Sequence, residues 1–62
     1  MLKRILVEAA FELILIDAEK QGKWKAMSRK DFLHNLVEAH SNKMISDKSA
    51  FELTKRAMSI NA

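Results

Sequence analysis

Sixty-two residues allow one domain, near the lower limit at which a single core supports folding. There is no cysteine, which excludes disulfides and thiolate metal sites, and two histidines alone do not make a structural zinc site. Hydrophobic residues at 48% and charged residues at 31%, with one glycine and no proline, exclude a disordered tail and favour helices, while a net charge of +3 gives a mild attraction to polyanions.

A domain this small buries only about 60% of its unfolded surface and usually needs reinforcement. With disulfides and metal set aside, association with another chain is the reinforcement left. The sequence therefore predicts an all-α fold, a small single domain of three helices at about residues 2–20, 28–41 and 46–59, paired as a homodimer.

The first helix is apolar over most of its circumference. At about 100° per residue, Arg4, Glu8 and Glu12 form a narrow polar stripe that is expected to be solvated, with Arg4 bridging to Glu8. Ile5, Leu6, Ala9, Leu13 and Ile16 make one apolar face, and Val7, Ala10, Phe11 and Ile14 continue around it. A helix packed on one side needs an apolar stripe a little over 100° wide, and this arc is about twice that. The first helix is thus predicted to be central, serving as both core and dimer interface, the latter through Leu6, Ala10, Leu13 and Ile14. Membrane-surface binding fits less well, because the polar stripe is mostly acidic.

Met1-Leu-Lys-Arg resembles the basic start of a signal peptide, but Glu8 and Glu12 interrupt the apolar run and no small-residue cleavage site follows. The same acids argue against a membrane-spanning helix. The expected location is the cytoplasm.

Gly22 stands where a left-handed residue ends the first helix. The second helix carries the clearest local signal. Ser28 is placed to cap, Asp31 to complete a capping box, and Met27 and Phe32 to form a hydrophobic staple. Phe32, Leu33, Leu36, Val37 and His40 follow one stripe, with Arg29, Lys30, His34, Asn35 and Glu38 opposite. Asn42 is suited to the left-handed turn that ends it. The third helix starts at Ser46 or Asp47, with Ser49 and Glu52 as a second capping pair. Its predicted inward stripe is Phe51, Thr54, Ala57 and Met58, extended by Leu53 and Ile60, while Lys48, Glu52, Lys55 and Arg56 point out.

Catalytic motifs are absent: there is no glycine-rich phosphate loop, no cysteine nucleophile and no nucleophile elbow. Asp31, His34 and Glu38 share one helix face but lack further ligands for a metal. His40 reads as a partly buried histidine hydrogen-bonded near a helix end. No cofactor, metal or small-molecule substrate is expected, and no enzymatic activity.

The cluster Lys20, Lys23, Trp24, Lys25, Arg29 and Lys30 is more informative. Trp24 has three readings here: a stacking platform for a nucleobase, an anchor in a protein interface, or a cap on the end of the bundle. The second and third helices also have the order of parts of a helix-turn-helix, with Lys48, Ser49, Glu52, Lys55 and Arg56 on the third. The fit is poor. The connection Ser41-Asn42-Lys43-Met44-Ile45 is long, the usual glycine is missing, and Glu52 would face phosphate.

The expected function is that of a non-enzymatic interaction module, a regulator or inhibitor that binds another macromolecule. Its partner surface is placed on Lys23, Trp24, Lys25, Arg29, Lys30, Lys48, Lys55 and Arg56, with a protein partner ahead of nucleic acid and no membrane. The alternative is a dimeric DNA-binding protein that uses the third helix. In size, charge and lack of catalytic motifs the chain resembles small accessory proteins of bacteria and their mobile elements, a likeness of type that assigns no residue a role.

Overall fold

The computed structural model describes the backbone of residues 2–60 and the side chains of residues 5–60. Three helices follow one another, α1 (Leu2–Gln21), α2 (Arg29–Ser41) and α3 (Asp47–Met58), with no strand among the described residues. The 20 residues of α1 reach about 30 Å at 1.5 Å per residue, close to the 31 Å long dimension of the molecule.

Side-chain caps set both inner helix starts. The Asp31 N–H donates to Ser28 Oγ at 3.1 Å, and the Ser49 N–H donates to Ser46 Oγ at 3.2 Å. Each satisfies one of the donors that a helix leaves unpaired at its beginning. The residue before each cap, Met27 and Ile45, joins the same core cluster as the fourth helical residue, Phe32 and Ala50. The staple expected for α2 is therefore repeated in α3, where the sequence hid it behind a small alanine.

At the end of α1, Gly22 takes φ 70° and its N–H donates to the Ala18 carbonyl at 2.9 Å. The end of α2 differs from expectation by one residue. Asn42 keeps φ −87°, and Lys43 adopts the left-handed conformation at φ 60°. The reason is the pair of closing bonds, Lys43 N–H to His40 O at 3.0 Å and Met44 N–H to Ala39 O at 2.9 Å. They form a Schellman motif, which puts the left-handed residue one past the cap. A residue with a Cβ is strained there by about 1–2 kcal/mol. Lys43→Gly is therefore expected to stabilise the fold by about 0.5–1 kcal/mol, the remainder being offset by the freer unfolded chain. A higher urea midpoint at unchanged slope is the expected reading; a lower midpoint would mean that the lysine side chain contributes more than its backbone strain removes.

The core draws Leu15 and Ala18 from α1, Phe32 and Leu36 from α2, Ile45 from the connection, Ala50, Leu53 and Ala57 from α3, and Ile60 beyond it. No polar or charged side chain is buried among the described residues. Phe32 lies at the centre, edge-on to Phe11 with ring centroids 5.4 Å apart and tilted against Trp24 at 5.1 Å. Both separations fall in the favourable range for aromatic pairs.

This arrangement corrects expectations for the central element and for α3, and fixes which face of α1 turns inward. First, α3 rather than α1 is the most widely shared element: its backbone lies close to both other helices, while α1 and α2 are further apart and meet through side chains such as the Phe11–Phe32 pair. The small residues Ala50 and Ala57 permit that close approach. Second, α1 is turned so that Val7, Phe11, Ile14, Leu15 and Ala18 face inward, leaving Ile5, Leu6, Ala9 and Leu13 exposed. Ile14, also expected at a dimer interface, is half-buried and packs against the core within one chain. Third, α3 buries Ala50, Leu53, Ala57 and Ile60, at spacings of three, four and three, and turns Phe51, Thr54 and Met58 outward. Val37 on α2 is exposed as well.

The polar stripe of α1 is likewise not simply solvated. Glu8 accepts from Ser49 Oγ at 3.1 Å. Arg56 donates to Glu12 through Nη1 at 2.6 Å and to Glu19 through Nη2 and Nε at 2.8 and 3.0 Å. Arg56 thus faces α1 rather than solvent. The side chain of Arg4, expected to bridge to Glu8, lies outside the described residues.

Candidate functional site

Four of the eight residues expected to bind a partner come together. Lys23 and Trp24 from the first connection meet Arg29 and Lys30 from the first turn of α2 around an open groove completed by Ser28, Leu33 and Met58. The Ser28 cap fixes where α2 begins, and so fixes Arg29 and Lys30 beside Trp24. Trp24 is half-buried on Phe32, and its indole Nε1 is buried without a hydrogen-bond partner among the described residues. Arg29 is partly covered and donates through Nη1 to the Ile60 carbonyl at 3.2 Å. It closes the open end of α3 and is less available than the lysines beside it.

The other four separate. Lys25 is exposed but does not line the groove. Lys48 and Lys55 stand two turns apart on the outer side of α3, and Lys55 Nζ lies 5.5 Å from the centroid of the Phe51 ring. At that distance the cation meets the negative face of the ring. Arg56 lies about a quarter-turn around α3 from Lys48 and Lys55, engaged with α1. Hydrogen bonds to Glu19 and then Glu12 raise its pKa, and the same contact lowers that of Glu19.

The charge pattern follows from these pairings. Glu12 and Glu19 are matched by Arg56, Asp47 bonds His40, and Glu38 lies 3.8 Å from His34. The His40 bond also draws the Asp47 pKa down. Among the described residues no lysine has a carboxylate within ion-pair distance. Glu12 and Glu19 are thus neutralised by Arg56 at the α1–α3 rim, Glu38 and Asp47 stay at the surface beside histidines, and the lysines carry surface charge with no ion-pair partner among the described residues.

Comparison with protein-family models, curated proteins and solved structures gives no match. The surfaces must carry the functional reading by themselves.

Two features escaped sequence reasoning. Leu33 and Met58 share the groove with Trp24, and Phe51 stands exposed further along α3. The spacing of Phe51, Thr54 and Met58 made a plausible inward stripe, and only the competing set of Ala50, Leu53, Ala57 and Ile60 shows it to be an outer one. No three histidine, aspartate or glutamate side chains converge on a metal position among the described residues. No described helix is long and apolar enough to cross a membrane.

Proposed function

We propose that this chain is a non-enzymatic interaction module that pairs with a second copy through α1 and binds another macromolecule through its basic face, as a regulator or inhibitor in the cytoplasm. The observation that carries the reading is the outer face of α1. Ile5, Leu6 and Leu13 are each more than 60% exposed there, beside the exposed small residues Ala9 and Ala10. No charge interrupts this face between Ile5 and Ile16. An unbroken apolar face on a helix already covered on its other side is what an association surface requires. Ala9 and Ala10 allow close approach at its middle. An antiparallel pairing about them sets Leu6 against Leu13 of the second copy, a self-complementary contact of two-fold type.

Mass in solution tests this. The expected result is a dimer for the native chain and a monomer for Leu13→Asp, with helical content unchanged because Leu13 is 68% exposed within one chain. A strict monomer at high micromolar concentration would sink the reading.

A second reading, a dimeric DNA-binding protein, draws on Lys48 and Lys55, which project from α3 with no ion-pair partner among the described residues. Against it, Glu52 is exposed between them and Arg56 is engaged with α1. Titration with duplex DNA at two salt concentrations separates the readings. Tight binding with steep salt dependence favours DNA, and none at low salt removes it.

A further inference from the structure

The side of α2 and α3 away from α1 carries a second apolar stripe. The two helices run antiparallel: Arg29 at the start of α2 bonds Ile60 beyond the end of α3, and His40 near the end of α2 bonds Asp47 at the start of α3. Outside the buried core, Leu33 and Val37 lie one turn apart on α2, and Phe51 and Met58 two turns apart on α3 with Thr54 between them. Val37, Phe51 and Met58 are all more than half exposed. Met58 and Leu33 close the stripe against Trp24. Ser49 and Arg56, which meet α1, lie on the other side of α3, so pairing through α1 leaves this seam open.

The margin of the seam is basic. Lys23 and Lys30 stand at the Trp24 end and Lys55 above Phe51, none with a carboxylate partner among the described residues. The nearest acid on the stripe, Asp47, is held by His40. Asp31 and Glu52 are exposed on other faces of their helices.

We propose that this seam receives a short amphipathic α-helix of an acidic partner protein. Its apolar stripe would lie between Leu33 and Val37 on one side and Phe51 and Met58 on the other, with its carboxylates against Lys23, Lys30 and Lys55. Two antiparallel helices make a groove that matches anchors at i, i+3, i+4 and i+7, and no described strand offers an edge for an extended peptide. Apolar side chains along the floor suit a protein helix better than a phosphate backbone. This proposal rests on the reading of the protein as an interaction module with a basic face.

The single tryptophan provides the reporter, because Trp24 closes one end of the seam. The probe is a synthetic peptide of about 18 residues, long enough for marginal helicity, with leucines at helical spacing and glutamates elsewhere. A scrambled peptide of the same composition is the control. Expected is a saturable change in Trp24 fluorescence with the amphipathic peptide, and affinity at least about tenfold weaker for the scrambled one. The double variant Phe51→Ser, Met58→Glu alters only exposed positions, so it should keep the native circular dichroism while weakening binding about tenfold or more. Equal binding of the scrambled peptide, native-like binding by the double variant, or no binding at high micromolar peptide would each overturn the proposal. If the peptide fails but duplex DNA binds, or a disordered polyglutamate chain binds, in a way that Lys23→Glu, Lys30→Glu or Lys55→Glu weakens, the helix proposal falls and the basic-face reading stands. If none binds, both fall.

Discussion

Phe32→Ala is expected to leave the chain without a stable fold near physiological temperature. Phe32 is fully buried and is the one side chain that touches both other aromatic rings of the core, Phe11 and Trp24. Removing a buried phenylalanine ring typically costs about 3–5 kcal/mol, the sum of lost transfer energy and the cavity left behind. A 62-residue domain at about 0.05–0.15 kcal/mol per residue has only about 3–9 kcal/mol to lose. The cavity would open between all three helices, and the neighbouring residues Leu15, Leu36 and Trp24 come from separate segments that cannot close it by one small shift. Phe51→Ala makes the matched control: the same atoms are removed from a ring that is 65% exposed, and stability should move by only a few tenths of a kcal/mol. Urea titrations followed by circular dichroism check the pair, at equal protein concentration because dimerisation would shift both midpoints. Similar losses in the two variants would mean that Phe32 is not the hub of the core.

The contrast between these two phenylalanines also shows where the sequence was readable. Helix number, order and the Ser28 and Ser46 starts were legible, since caps and staples depend on residues a few positions apart. The division of α1 into an inner and an outer face was not. Its apolar residues run around most of the helix, so no single stripe stands out, and the choice of Leu15 over Leu13 depends on where α3 lies. In α3 the difficulty was size. Ala50 and Ala57 are weak hydrophobic signals beside Phe51 and Met58, yet close packing against two helices favours the small residues and pushes the large ones to the rim. Of the candidate site, Lys23, Trp24, Arg29 and Lys30 could be grouped because they are neighbours in the chain. Met58, which completes the groove, is distant in sequence and joined by the antiparallel return of α3 alone.

Arg56→Met should weaken the fold at neutral pH by about 1–2 kcal/mol. The guanidinium holds two carboxylates of α1 at once, Glu12 at 2.6 Å and Glu19 at 2.8 Å, and so ties α3 to α1 across the rim of the core. Exposed single pairs are worth about 0–1 kcal/mol, and these side chains remain 36–42% exposed, which keeps each contribution in that range. Two pairs on one fork, with both carboxylates left facing an apolar thioether after substitution, place the total above a single pair. Acid gives the discriminating measurement. Glu19 has its pKa lowered from 4.5 by the hydrogen bond from Arg56. Its contribution is therefore complete above the unfolded value of 4.5 and is lost as pH falls through the lower folded value. The difference in urea midpoint between the native chain and Arg56→Met should be constant near neutrality and shrink below pH 4.5. A purely steric role for the arginine stem would give a difference independent of pH, and would assign the α1–α3 tie to packing alone.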